Sequence, residues 1–250
     1  MITVENLTKI YPDNTLALDD ISFTVERGEI CGYIGPNGAG KSTTMKIIAG
    51  MLKPDKGSVF VSGIDVTRDA DAAKQITGYV PESGALYLSL TPYDFLEFVC
   101  RMYGMTENDY KKKIYGYLDF FDLKKEVSTP MQAFSKGMRQ KVLIISSLIH
   151  DPEIILWDEP FSGIDYTTIL SLRDLVRELS AKGCTFLYST HVIETIDKLC
   201  TKIIVLNSGR IVLNEAVGRE LDTEKIVTEF FIDKSPCSNP VVDNIRKYRS

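Results

Sequence analysis

Apolar and polar positions change rhythm several times along this chain. Ile2-Thr3-Val4-Glu5-Asn6-Leu7 alternates, a polar turn follows at Pro12-Asp13-Asn14, and alternation returns from Ala17-Leu18 through Ile21-Ser22-Phe23-Thr24-Val25. A period of two marks half-buried strands, so the opening predicts an antiparallel pair. Ile30-Cys31-Gly32-Tyr33-Ile34 is instead a continuous apolar run, the mark of a buried strand, and it feeds straight into a glycine-rich loop. Helical spacing then covers residues 41–52 and is expected to stop at Lys53-Pro54, with further strands at 58–61 and 76–80.

From Pro92 to about Ile149 the pattern is helical throughout, with helices predicted at 93–103, 109–121 and 137–149. Alternation of strand and helix resumes as strand 154–158, helix 167–180, strand 185–189, helix 192–200 and strand 203–206, closed by a hairpin at Asn207-Ser208-Gly209. The fold class that follows is α/β, with a mainly parallel central sheet, an N-terminal antiparallel β subdomain and an inserted α-helical subdomain.

Composition narrows the function. At 250 residues and 44% hydrophobic the chain can bury a core, and its net charge of -5 excludes binding of nucleic acid through a broad basic surface. Lys111-Lys112-Lys113 reads as a solvated helix face. No apolar stretch is long enough for a membrane span and Met1-Ile2-Thr3-Val4-Glu5 is not a secretory leader, so a cytoplasmic chain is expected. Cys31, Cys100, Cys184, Cys200 and Cys237 are scattered, without a C-x-x-C pair, and read as small hydrophobes in a reduced compartment.

The candidate chemistry lies in three segments. Gly35-Pro36-Asn37-Gly38-Ala39-Gly40-Lys41-Ser42 has the spacing G-x-x-x-x-G-K-S between a strand and a helix. Glycines there let successive backbone amides point at a triphosphate, Lys41 reaches the terminal phosphates, and the Ser42 hydroxyl suits Mg²⁺. Ile154-Ile155-Leu156-Trp157-Asp158-Glu159-Pro160 carries a carboxylate to the end of an apolar strand, where Asp158 can ligate the metal and Glu159 can take a proton from an attacking water. Ser135-Lys136-Gly137-Met138, about a hundred residues from the first segment, looks like another phosphate holder at a helix start. Trp157 is expected in the core, and His150 is expected to interact with the end of a helix dipole.

In this order and spacing the motifs resemble the ATP-binding subunit of an ABC transporter, over about residues 1–220. The resemblance implies a P-loop NTPase core, ATP and Mg²⁺ as cofactors, and an ATPase domain over 1–220 with its helical insertion at about 88–150, followed by a short extension at 221–250. It implies that Tyr11 stacks on adenine, that the loop from Gly35 through Ser42 and Thr43 binds ATP, and that Glu159 is the catalytic base. His191, after Ser189-Thr190, is implied as the γ-phosphate switch, and Asp165 in Ser162-Gly163-Ile164-Asp165 as part of the loop that signals between paired subunits.

The same resemblance resolves the distant segment. In the family two such subunits meet head to tail, so Ser135, Lys136, Gly137 and Met138 would contact ATP held by a second ATP-binding subunit, identical or not. A separate transmembrane permease is the other implied partner, docked between core and insertion near Glu82 to Arg101, where Phe95-Leu96 and Phe98-Val99 are expected mainly to form helix core.

Two segments depart from the family pattern. Phe134, Lys136 and Met138 stand in a signature that usually reads L-S-G-G-Q, a form similar to that of a branch rich in exporters; Glu82 stands where a glutamine usually ligates Mg²⁺. A carboxylate also offers oxygen to a hard cation, so Glu82 is expected to keep the metal role. A soluble ABC-type ATPase is the alternative, but the tandem domains, zinc modules and long coiled coils typical of such proteins are not in this sequence.

Overall fold

The computed structural model describes residues 1–82, 86–190 and 198–217. Two sheets enclose the first helix. β1 (Ile2–Ile10), β2 (Leu16–Val25), β4 (Lys56–Val61) and β5 (Ile64–Asp65) make an antiparallel sheet in the order β2-β1-β4-β5. β3 (Ile30–Ile34), β6 (Thr77–Val80), β7 (Ile154–Asp158), β8 (Thr185–Thr190) and β9 (Lys202–Asn207) run parallel, and β10 (Arg210–Ala216) closes the edge antiparallel to β9, giving the order β10-β9-β3-β8-β7-β6.

Both faces of the parallel sheet are covered, which is why its strands read as unbroken apolar runs. α1 (Lys41–Ile48) contributes Met45, Ile47 and Ile48 to one cluster, with Tyr33, Leu156 and Leu187 of the parallel sheet and Val4, Phe23 and Val59 of the antiparallel one. The opposite face, with Ile155, Trp157, Phe186 and Tyr188, packs against the helical insertion and against Leu172 and Val176 of α6 (Tyr166–Ala181). The insertion consists of α3 (Pro92–Met102), α4 (Glu107–Phe120) and α5 (Lys136–Leu148), with two 3₁₀ turns between α4 and α5. Among the described residues no helix is long and apolar enough to cross a membrane.

Trp157 is 1% exposed, and its Nε1–H donates to Ser147 Oγ of α5 at 2.9 Å. Ser147→Ala would leave that buried N–H without an acceptor, at a cost of about 1–3 kcal/mol. The expected result is a lower urea midpoint, read from the fluorescence of the chain's single tryptophan. An unchanged midpoint would show that another acceptor takes over.

Several sequence expectations need correction. α1 ends at Ile48, short of Leu52, because Gly50 adopts φ +66° and the Gly50 and Met51 N–H groups turn back to the Ile47 and Lys46 carbonyls. That left-handed glycine stop satisfies carbonyls that a longer helix would otherwise have used. β5 and α2 (Ala70–Gln75) carry too few residues to show a periodicity; α2 is held by its cap, where Asp69 accepts from the Ala72 N–H at 3.0 Å. The remaining helices begin one or two residues earlier than expected, and α3, α5 and α6 start at capping side chains such as Thr91, which accepts from the Asp94 N–H. His150, at the end of α5, stacks on Tyr103 at 3.7 Å, and burial pushes its pKa down to about 4. Cys31, Cys100 and Cys184 are buried free thiols, and Cys200 is buried with its Sγ 3.0 Å from Tyr188 Oη. Cys237, most of the helix expected at 192–200 and the extension at 221–250 lie outside the described residues.

Candidate active site

Four parallel strands end on the same side of the sheet, and each delivers part of the site. β3 runs into the glycine-rich loop, β7 ends at Asp158, β8 ends at Ser189 and Thr190, and β6 leads to Glu82. Carboxyl ends of strands are where open α/β sheets bind ligands. They meet in a groove of about 440 Å³, lined by Asn37, Gly38, Gly40, Lys41, Ser42, Thr43, Glu82, Asp158 and Glu159, with Tyr11 and the start of β2 along one side.

Gly40 caps α1 at φ +109°, and a Cβ there would lie 2.5 Å from the Ala17 carbonyl oxygen, so no other residue fits. The cap brings the free amides of the first helical turn into the groove. Lys41 is buried at 7% exposure, with Nζ donating to the Gly35 carbonyl at 2.6 Å and the Pro36 carbonyl at 3.1 Å. Burial lowers its pKa, and the carboxylates of Glu159, Asp158 and Glu82 oppose that shift. The ammonium is thus stationed in the loop, facing three acids. Tyr11 Oη lies 3.1 Å from Thr43 Oγ1, which fixes the ring at the rim of the same groove. Pro36 is exposed beside the loop, and Ala39 is buried beneath it.

Asp158 is 1% exposed. Its Oδ1 accepts from Ser189 Oγ at 2.5 Å, whereas its Oδ2 is buried and has no hydrogen-bond partner among the described residues. A buried carboxylate oxygen left unpaired is costly, and a hard cation relieves that cost. The Ser42 hydroxyl and the Glu82 carboxylate line the same groove, so the donor set is all oxygen and fits Mg²⁺. Glu159 adopts φ +52°, an uncommon conformation for a residue with a side chain, and its N–H donates to Ser189 Oγ at 2.9 Å. One hydroxyl on β8 therefore holds both acids of the β7 end. Sequence reasoning passed over Ser189 except as a neighbour of His191; the available signal was a polar residue ending an otherwise apolar strand. His191 lies outside the described residues.

The signature segment is elsewhere. Ser135 caps α5, its Oγ accepting from the Met138 N–H at 3.2 Å, and none of residues 135–138 lines the groove. Phe134 is buried in the core beneath the insertion, and Met138 packs partly against it. Four contacts bind the start of α5 to the loop after Glu159. Lys136 Nζ donates to Ser162 Oγ at 2.9 Å, and Gly137 lies so close to Gly163 that a Cβ would meet its carbonyl oxygen at 2.2 Å. Gln140 Nε2 donates to the Pro160 carbonyl at 3.2 Å, and Lys141 pairs with Asp165 at 2.9 Å. Asp165 also caps α6. The Thr167 hydroxyl, then Lys141 and Thr168, hold its carboxyl well below the usual carboxylate range.

Comparison with known proteins fits this geometry. The family model described as ABC transporter matches residues 18–162. The chain is 35% identical to the ABC transporter ATP-binding protein NatA of Bacillus subtilis, over 90% of this chain and 93% of that protein.

The chain belongs to the ABC transporter ATP-binding family.

It is also 34% identical to the Nod factor export ATP-binding protein I of Ralstonia nicotianae, across 95% of this chain and 74% of the other. Among solved structures, an ATP-binding subunit of an ABC transporter superposes with a TM-score of 0.82 at 32% identity, covering 94% of this chain and 95% of that one. A dimeric ATP-binding cassette, MJ0796, in a post-hydrolysis state with ADP and Pi, superposes with a TM-score of 0.79 at 26% identity, covering 87% of this chain and 99% of that one. The parallel sheet, the antiparallel subdomain and the helical insertion of this ABC cassette are those of the family, and the family binds ATP.

Proposed function

We propose that this chain hydrolyses ATP as one half of a dimer closing around two ATP molecules, and so drives export through a separate membrane permease. One observation carries the reading: the phosphate loop and both acids share one groove, while the signature at the start of α5 lies outside it. The signature's phosphate partner is therefore sought on a second copy or a paired subunit, as in the dimeric neighbour bound to ADP and Pi. Export is favoured by the S-K-G-M form of the signature and by the printed role of the Nod factor relative.

Each side chain then has a task. The loop amides and Lys41 hold the β- and γ-phosphates, and Tyr11 stacks on adenine. Ser42, Asp158 and Glu82 would hold Mg²⁺, which when bound offsets charge on the phosphate oxygens. Glu159 takes a proton from the water that attacks the γ-phosphorus as the bond to ADP breaks, with His191 contacting the γ-phosphate. Across the dimer, the Ser135 hydroxyl and backbone amides from Lys136 to Met138 reach the partner's γ-phosphate, while Asp165 belongs to the signalling loop.

We assign residues 1–220 to the ATPase domain and 221–250 to an extension, with the chain on the cytoplasmic face of a membrane through its permease. A groove of about 660 Å³ between sheet and insertion offers the docking place, with Met51 and Met102 exposed at 62% and 68% along it. Phe98, expected in the helix core, is 45% exposed and meets Tyr87 edge-on at 6.1 Å, which extends the apolar surface of the insertion.

Two measurements test the reading. Light scattering with ATP and Mg²⁺ is expected to report a dimer absent without nucleotide, and phosphate release should rise when the permease is co-reconstituted. A chain that stays monomeric with ATP would overturn it. Glu82→Ala is expected to raise the Mg²⁺ concentration for half-maximal turnover about tenfold. If Mg²⁺ dependence and permease-stimulated turnover both stay unchanged, Glu82 has no part in either.

A further inference from the structure

β6 and β7 run parallel with Tyr79 beside Leu156. Residues two apart on a strand share a face, so Asp158 is the diagonal neighbour of Tyr79 on the face that α1 covers. Diagonal neighbours lie roughly 7–8 Å apart, within reach of an aromatic side chain. The Tyr79 hydroxyl is buried and has no hydrogen-bond partner among the described residues, and neither has Asp158 Oδ2. Burial, with the nearby carboxylates of Asp158 and Glu82, pushes the phenol up from its ordinary value.

Tyr79 also lines the groove between sheet and insertion, together with Met51, Val99, Met102 and Tyr103. One residue thus borders that groove and lies diagonal to an acid of the ATP site. For the fold alone its hydroxyl is a liability, since a buried donor without an acceptor is destabilising and phenylalanine would fill the same space. Buried polar groups without a protein partner are where proteins hold an ordered water.

We propose that Tyr79 is a positioning residue, its hydroxyl orienting the Asp158 carboxylate through an ordered water. The proposal rests on the reading of Asp158 as a metal ligand and extends it to a residue that touches neither metal nor phosphate. Groups that orient a metal ligand from behind tune affinity for the ion without changing the ligand set.

The test uses Tyr79→Phe in the full chain, with Asp158→Asn beside it, and reads binding of a fluorescent ATP analogue as Mg²⁺ is titrated. For Tyr79→Phe the thermal midpoint without nucleotide is expected to hold or rise, and binding in EDTA to match the wild type. The Mg²⁺ concentration at half-saturation is expected to rise about tenfold. An unchanged Mg²⁺ titration in Tyr79→Phe, with a shifted one in Asp158→Asn, overturns the role of Tyr79 alone. Unchanged titrations in both variants overturn the metal role of Asp158 and this proposal with it. A lowered thermal midpoint with an unshifted titration would make the hydroxyl a structural bond, which also overturns the proposal.

Discussion

Glu159→Gln is expected to bind ATP normally, to accumulate as a closed ATP-bound dimer, and to release phosphate about 10²–10⁴-fold more slowly than the wild type. Glutamine keeps the length and shape of the side chain, and the backbone geometry that aims it does not depend on the carboxylate. That geometry comes from φ +52° and from the bond of the Glu159 N–H to Ser189. The substitution removes a proton acceptor and one negative charge from a groove that already holds Asp158 and Glu82. Losing the acceptor stops the water attack, and losing the charge favours retention of the γ-phosphate. Phosphate release and light scattering with ATP and Mg²⁺ check the two halves separately. Normal turnover in this variant would remove Glu159 from the base role.

Gly137→Ala is expected to separate binding from hydrolysis. Its new methyl would sit 2.2 Å from the Gly163 carbonyl oxygen, well inside contact distance, so the start of α5 or the facing loop must move. The groove that holds ATP contains none of residues 135–138, so binding of a fluorescent ATP analogue should stay near the wild-type level. Hydrolysis should fall about 10²–10³-fold, because donors aimed at a partner's γ-phosphate work only when preorganised. Matched losses in binding and hydrolysis would mean that the signature acts within its own chain.

The parts of the site that sequence revealed are those whose chemistry and local structure coincide. An apolar strand that runs into a glycine-rich turn before Lys41 can only be buried strand, loop and helix, and the acids after Leu156-Trp157 must emerge at a strand end. The start of α5 was legible for the same reason, since Ser135 is both cap and signature. Ser189 was not, because its role comes from lying beside β7 in the parallel register, and nothing local to β8 announces which strand it joins. Tyr79 escaped notice likewise: its neighbour Asp158 is near only because β6 and β7 pair. The exposure of Phe98 depends on how α3 rotates against its neighbours, and two apolar pairs split by Glu97 do not encode that rotation. Gly50, by contrast, was a visible helix stop, outweighed by the apolar Met51-Leu52 beyond it.

The contacts between α5 and the loop after Glu159 bear on how such chains diverge. Lys136 relies on a serine 26 positions later, and Lys141 relies on the carboxylate at the head of α6. A gene exchange that imported only the signature from a relative would bring in a side chain shaped for a different loop. Residues 136–165 carry all four of these contacts, with β7 enclosed between their two ends, and its acids still depend on Ser189 of β8.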